Sequence, residues 1–147
     1  MKQEDKELLL KDLCARLPYE VKGNFQNSDD ELLRSITITY SYLKPNGMVM
    51  KGDIKPYLFP ISSMTEEQKK EYYSLADDVT IKPGHDCRLG IKIHCIKLGI
   101  SDNPHEGVWD YINLNALDWL NKNHFDYRGL IEKGLAIDAT GLNIYKE

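Results

Sequence analysis

The chain has 147 residues, 41% of them hydrophobic and 29% charged, a balance that fits one folded domain spanning 1–147 and excludes global disorder. Its 19 Lys and Arg against 23 Asp and Glu give a formal charge of -4, and the basic residues are scattered among acids, as where Lys69 and Lys70 follow Glu66 and Glu67. That pattern argues against a basic groove for duplex nucleic acid, whose affinity rests on a concentrated cationic face. The first residues are acidic and polar, no apolar run approaches the roughly 20 residues of a membrane span, and three cysteines suggest no disulfide framework. The expectation is a cytoplasmic protein with reduced thiols, without a membrane partner.

Over residues 4–17, Leu9, Leu10, Leu13, Cys14 and Leu17 recur at three- and four-residue spacings, the period of one helix face. Pro18 closes that helix, because the residue before a proline is pushed out of the helical region. Cys14 reads as a small buried residue on the apolar face. Residues 21–25 follow as a short strand. Ser28-Asp29-Asp30-Glu31 has capping-box spacing with little helical pattern after it, which predicts a loop or a single helical turn.

Residues 34–42 alternate cleanly: Ile36, Ile38, Tyr40 and Tyr42 on one side, Thr37, Thr39 and Ser41 on the other. This is the pattern of a half-buried antiparallel strand. Lys44-Pro45-Asn46-Gly47 predicts a turn, with proline preset for its second position and glycine free to take positive φ. Residues 48–54 then return as the hairpin partner. Pro56 and Pro60 each lack a ladder donor, so residues 55–60 are expected across the surface or along an edge, not as a central strand.

Ser63 or Thr65 caps a predicted helix over 66–75, with acids in its first turn where the dipole favours them. Gly84 turns the chain toward a strand over 89–98, in which Ile91, Ile93 and Cys95 face one way and Lys92 and His94 the other. A helix beginning between Pro104 and Asn113 carries Leu114, Leu117 and Leu120 inward and ends near Asn123. Asp126 caps a further short helix over 127–133, stopped by Gly134, and 135–138 add a last short strand. The expected fold class is α+β. A small antiparallel sheet, made of the hairpin around Pro45-Asn46-Gly47 and the strand near 89–98, packs with an N-terminal helix, a middle helix and a C-terminal two-helix corner.

The chemistry-bearing groupings are sparse. His85-Asp86-Cys87 and His94-Cys95 bring zinc-type ligands within eleven residues. Adjacent strand residues point to opposite faces, however, and the spacing is not that of a zinc knuckle, so no metal and no cofactor is expected. His105-Glu106 and His124 with Asp126 have the composition of acid–base pairs, and 23 acids supply such neighbours by chance. There is no nucleophile elbow or phosphate-cradling loop, Ser62-Ser63 reads as helix entry, and no catalytic residue is assigned. The densest segment is 118–139. There His124, Asp126, Tyr127 and Arg128 form the candidate ligand-binding set: a guanidinium beside Phe125 and Tyr127 suits a phosphate or carboxylate under a stacked ring. Packing alone is the competing account, with Trp119, Phe125 and Leu130 filling a helix corner and Arg128 paired to Asp126 or to carbonyls.

The stretch DWLNKNHFDYRGLIEKGLA resembles the closing motif of a family of uncharacterised small proteins of gut Bacteroides and their phages and prophages. LLLKDLCARLPY and KPYLFPISSMTEEQ look like the same family, and together the three pieces cover about a third of the chain. The resemblance implies a phage or prophage accessory protein acting in the host cytoplasm, with counter-defence as a class of role; that is association rather than mechanism. The resulting expectation is a non-catalytic protein that sequesters a small anionic, nucleotide-like ligand or a host protein. The alternatives are a small hydrolase assembled from distant His94, His105 and His124 with carboxylates, and an oligomeric phage structural or assembly component.

Overall fold

The computed structural model describes residues 1–27, 29–76 and 114–145. The chain is α+β, with a small mixed sheet and three α-helices among these residues. Helix α1 spans Gln3–Arg16, with Glu4 and Asp5 in its first turn and Arg16 in its last, the charges its dipole favours at each end. A helical turn at Leu17–Tyr19, carrying Pro18, ends it. The buried face is Leu9, Asp12, Leu13 and Arg16, while Leu10 and Cys14 are exposed, so Cys14 is not a core residue. The face is rotated from the one leucine spacing predicts because Asp12 and Arg16, one turn apart, neutralise each other and enter the interior as a pair.

Strand β1 (Lys22–Phe25) lies between β2 (Ile36–Thr37) and β3 (Ile54–Pro60), antiparallel to both. Asp30 accepts from the Leu32 N–H and caps the single helical turn Glu31–Leu33. The predicted strand over 34–42 is cut short. After Ile38 donates to Val21 O, the chain turns helical at Tyr40–Leu43, leaving Tyr40 exposed and Leu43 buried. No hairpin pairs 34–42 with 48–54. Gly47 N–H does close the turn on Lys44 O at 2.7 Å, but residues 48–52 continue as turns, and Val49 N–H folds back onto Tyr42 O. Gly47 is required there by close approach, not by positive φ: a Cβ would run into the Tyr42 carbonyl.

The proline-bearing stretch is the middle of the sheet, contrary to the edge position its composition predicts. β3 pairs antiparallel with β1 and parallel with β4 (Phe125–Asp126) and β5 (Ile137–Asp138). Its prolines are tolerated because each closes a ladder: Pro56 is the last residue in register with β1, opposite Gly23, and Pro60 the last in register with β4. Gly23 itself has no room for a side chain, since a Cβ would approach Ile38 Cδ1 and Ile54 Cγ2 to 2.9 Å.

Two apolar clusters flank β3. Ile54 and Leu58 join Leu9, Leu13, Val21, Ile38 and Leu130 in one, each leucine there contributing about 1.5–3 kcal/mol by its burial. Phe59, on the alternate face, packs against the other, built of Met64, Tyr72, Trp119, Leu120, Phe125 and Tyr127. That second cluster joins helix α2 (Glu66–Ala76) to helix α3 (Leu114–Lys122) through Tyr72 and Trp119, whose ring centroids lie 5.7 Å apart. Of the two predicted caps, Thr65 begins α2: its Oγ1 accepts from Gln68 N–H and Gln68 Oε1 accepts from Thr65 N–H, a reciprocal capping box. Ser63 instead donates to Pro60 O.

The predicted two-helix corner is one helix and a turn. After α3 and β4 the chain makes a non-helical turn through residues 129–134, ended by Gly134 at φ 74°, before β5. Asp126 still works as a cap there, accepting from the backbone N–H groups of Arg128, Leu130 and Ile131 at 3.3, 3.0 and 2.9 Å. The strand expected near 89–98 and the His85-Asp86-Cys87 and His94-Cys95 grouping lie outside the described residues. Among the described residues no helix is long and apolar enough to cross a membrane.

Candidate functional site

The four residues singled out in the sequence divide between two places. Asp126, Tyr127 and Arg128 turn into the fold. Arg128 Nε lies 3.3 Å from Asp12 Oδ1, and its guanidinium sits 5.0 Å from the centroid of the Tyr127 ring. Arg16 meets the same carboxylate at 2.7 and 3.1 Å, the same ring at 5.0 Å, and Phe125 O at 2.6 Å. Tyr127 is fully buried and donates to Asn121 Oδ1 at 2.5 Å. Two arginines, one aspartate and one phenol therefore bind α1 to β4 and the turn after it.

His124 goes the other way. It lines a cleft of about 660 Å³ with residues from six segments: Tyr19 and Glu20 after α1, Lys22 of β1, Phe59 of β3, Gln68 of α2, Lys122 and Asn123 at the end of α3, and the stretch after β5. Sites for small molecules span about 300–1,000 Å³, so the size is suitable. All three non-glycine residues with left-handed backbone among those described line this cleft: Glu20 at φ 54°, His124 at 63° and Asn143 at 55°. Such residues cost on the order of 1 kcal/mol or more each and cluster at functional sites. His124 and Asn143 are the residue types that bear the conformation best; Glu20 is not.

Tyr145 completes the wall. Its ring stacks on His124, with centroids 3.7 Å apart and planes 13° from parallel, and leans against Phe59 at 5.9 Å. Its hydroxyl accepts from Lys22 N–H at 2.9 Å and donates to Tyr57 O at 2.7 Å. In the β1–β3 register Lys22 and Tyr57 would be the next opposed pair after Gly23 and Pro56, so the phenol stands where the ladder would have continued. Burial pushes this phenol well above its usual range, which keeps it a donor. Nothing in the local pattern of residues 139–145 signals that role; it depends on a contact with β1 across 123 positions.

His124 is 7% exposed, and its Nδ1 is buried without a hydrogen-bond partner. Burial, then the charges of Arg16 and Lys22, lower its pKa to about 4, so it is neutral at pH 7. A group depressed in the folded state takes up its proton first in the unfolded one. Its contribution is full above about pH 6.5 and is lost as pH falls toward 4. The urea midpoint is expected to fall across that window. His124→Asn, which suits the left-handed backbone, should flatten the slope; because the other three histidines are unchanged, an identical slope in the variant removes His124 from the account.

The cleft carries two lysines, Lys22 and Lys122, against one acid, Glu20, together with the side-chain amides of Gln68, Asn123 and Asn143. That lining can hold an anionic group by charge and orient the rest of a ligand by hydrogen bonds. Among the described residues no three His, Cys, Asp or Glu side chains are grouped as metal ligands. Comparison of the chain with protein-family models, with curated proteins and with solved structures gave no match to any of the three.

Proposed function

We propose that the protein is a non-catalytic binding protein that takes up a small anionic ligand in the cleft between Lys22, Lys122 and His124. The observation that carries this reading is convergence: the left-handed residues Glu20, His124 and Asn143 all line the one cleft that holds the two lysines. In the setting that the Bacteroides phage resemblance implies, its role is to withdraw such a ligand from the host cytoplasm. The acidic network beside it is already occupied, since Asp12 is committed to two arginines and Asp126 to three amides. A ligand that binds only the folded state raises its melting temperature by mass action. A thermal-shift screen of inorganic phosphate, small dicarboxylates and nucleotides is expected to give a rise with at least one anion, reduced in Lys22→Gln and in Lys122→Gln. A flat response to every anion, with the protein folded, abolishes the reading.

A further inference from the structure

We infer that the ligand of this cleft carries a planar ring beside its anionic group, the pattern of a mononucleotide; this rests on the reading of the cleft as an anion site. The cleft is chemically two-sided. Lys22 and Lys122 supply cationic heads, which would satisfy a phosphate, yet a volume of about 660 Å³ is several times what a phosphate fills. The remaining space is bordered by rings: Phe59, Tyr145 and His124 form a continuous array, with centroids 5.9 Å apart for the first pair and 3.7 Å for the second. Phe59 and Tyr145 are only partly buried, so ring surface is left for a guest. His124 is neutral and backs the Tyr145 ring without adding charge. Stacking on such rings takes any base, because every base has a π-face.

Two amides supply what stacking cannot, a reading of the ring's edge. The Gln68 oxygen is taken by Thr65 N–H, which leaves the Gln68 Nε2 as a donor for the cleft. Asn123 Nδ2 donates to Trp119 O, which leaves the Asn123 oxygen as an acceptor. A donor and an acceptor on neighbouring walls match the mixed donor–acceptor edge of a nucleobase, whereas a dicarboxylate would need donors alone.

The test is calorimetric titration of the whole chain with AMP, GMP, CMP and UMP, each against ribose 5-phosphate, its nucleoside and inorganic phosphate. At least one nucleotide should bind about tenfold or more tightly than ribose 5-phosphate, the difference that one stacked base supplies. Phe59→Leu should remove most of that difference, weakening the nucleotide more than ribose 5-phosphate, and Lys122→Gln should weaken both; melting curves establish that each variant is folded. If ribose 5-phosphate or phosphate binds as well as every nucleotide, the ring inference falls and the anion site stands. If a nucleoside equals its nucleotide, or if nothing binds, both fall.

Discussion

Asp12→Ala is expected to lower the stability of the folded chain by about 3–5 kcal/mol, the loss that follows when one partner of a buried ion pair is removed. Asp12 and Arg16 are both fully buried, and the carboxylate is the only acid within ion-pairing distance of either Arg16 or Arg128 among the described residues. Without it, two guanidinium groups remain in the interior, beside the Tyr127 ring and the Phe125 carbonyl, with no acid in ion-pairing contact among the described residues and only the more distant Asp126 acting on Arg16. Stability of this order is a large part of what a domain possesses, so the variant should unfold at markedly lower urea or not fold at all. Equilibrium unfolding followed by tryptophan fluorescence measures the loss. A change below about 1 kcal/mol would mean that the arginines swing out to solvent, a surface-pair behaviour that the buried geometry forbids. Replacing Asp12 and Arg16 together by leucine and methionine should cost less than Asp12→Ala alone, because one of the two guanidinium groups goes with the carboxylate and only Arg128 is left without it.

The second large effect is at Asp126, where alanine should cost about 2–3 kcal/mol. Three backbone N–H groups converge on this carboxylate, two of them at 3.0 Å or less, and the residue is almost wholly buried. Hydrogen bonds to a charged acceptor contribute about 1.5–3 kcal/mol each when broken one-sidedly, and a mobile turn recovers part of that by hydrating its amides. Asp126→Asn, which keeps one acceptor oxygen, should fall between alanine and the parent. Amide exchange gives a local readout: Leu130 and Ile131 N–H should lose protection in the alanine variant while β1 keeps its own. Unchanged protection at those two amides would show that the turn is held by its leucine packing and not by Asp126.

The local elements were legible where local physics decides them. α1 follows from leucine period and Pro18, α2 from a Thr65 cap and the acids of its first turn, and the turn at Pro45 to Gly47 from its residues, while β1 lies within the short strand expected over 21–25. What escaped was set by distant partners. The alternation over 36–42 satisfies a strand, yet only Ile36 and Thr37 find a β1 partner before the chain turns to bury Leu43. The prolines of β3 argue against a central strand unless the ladder ends at Pro56 and Pro60 are known. Leucine spacing on α1 favoured a face with Cys14 because periodicity counts apolar residues and has no means of admitting a buried ion pair. The segment around His124 to Arg128 stood out as unusual, and that density had two causes. Tyr127 and Arg128 serve the Asp12 network, Asp126 holds the turn after β4, and of the candidate set only His124 faces the cleft. The remaining walls, Lys22, Phe59 and Tyr145 among them, share no motif, since they come from strands, helices and turns that meet only in the folded chain.

The Tyr145 phenol also fixes when the cleft comes into being. Its two partners stand 123 and 88 positions earlier in the chain, among the longest loops this protein closes. Loop-closure entropy must be met before such a contact returns any enthalpy, so this latch forms after α1 and the β1–β3 ladder, not with them. A partly folded chain accordingly has the lysines but not the site. Any fluctuation that frees Tyr145 removes the ring array and one wall together, so under the proposed reading ligand affinity would report on whether segments 88 and 123 positions apart are joined.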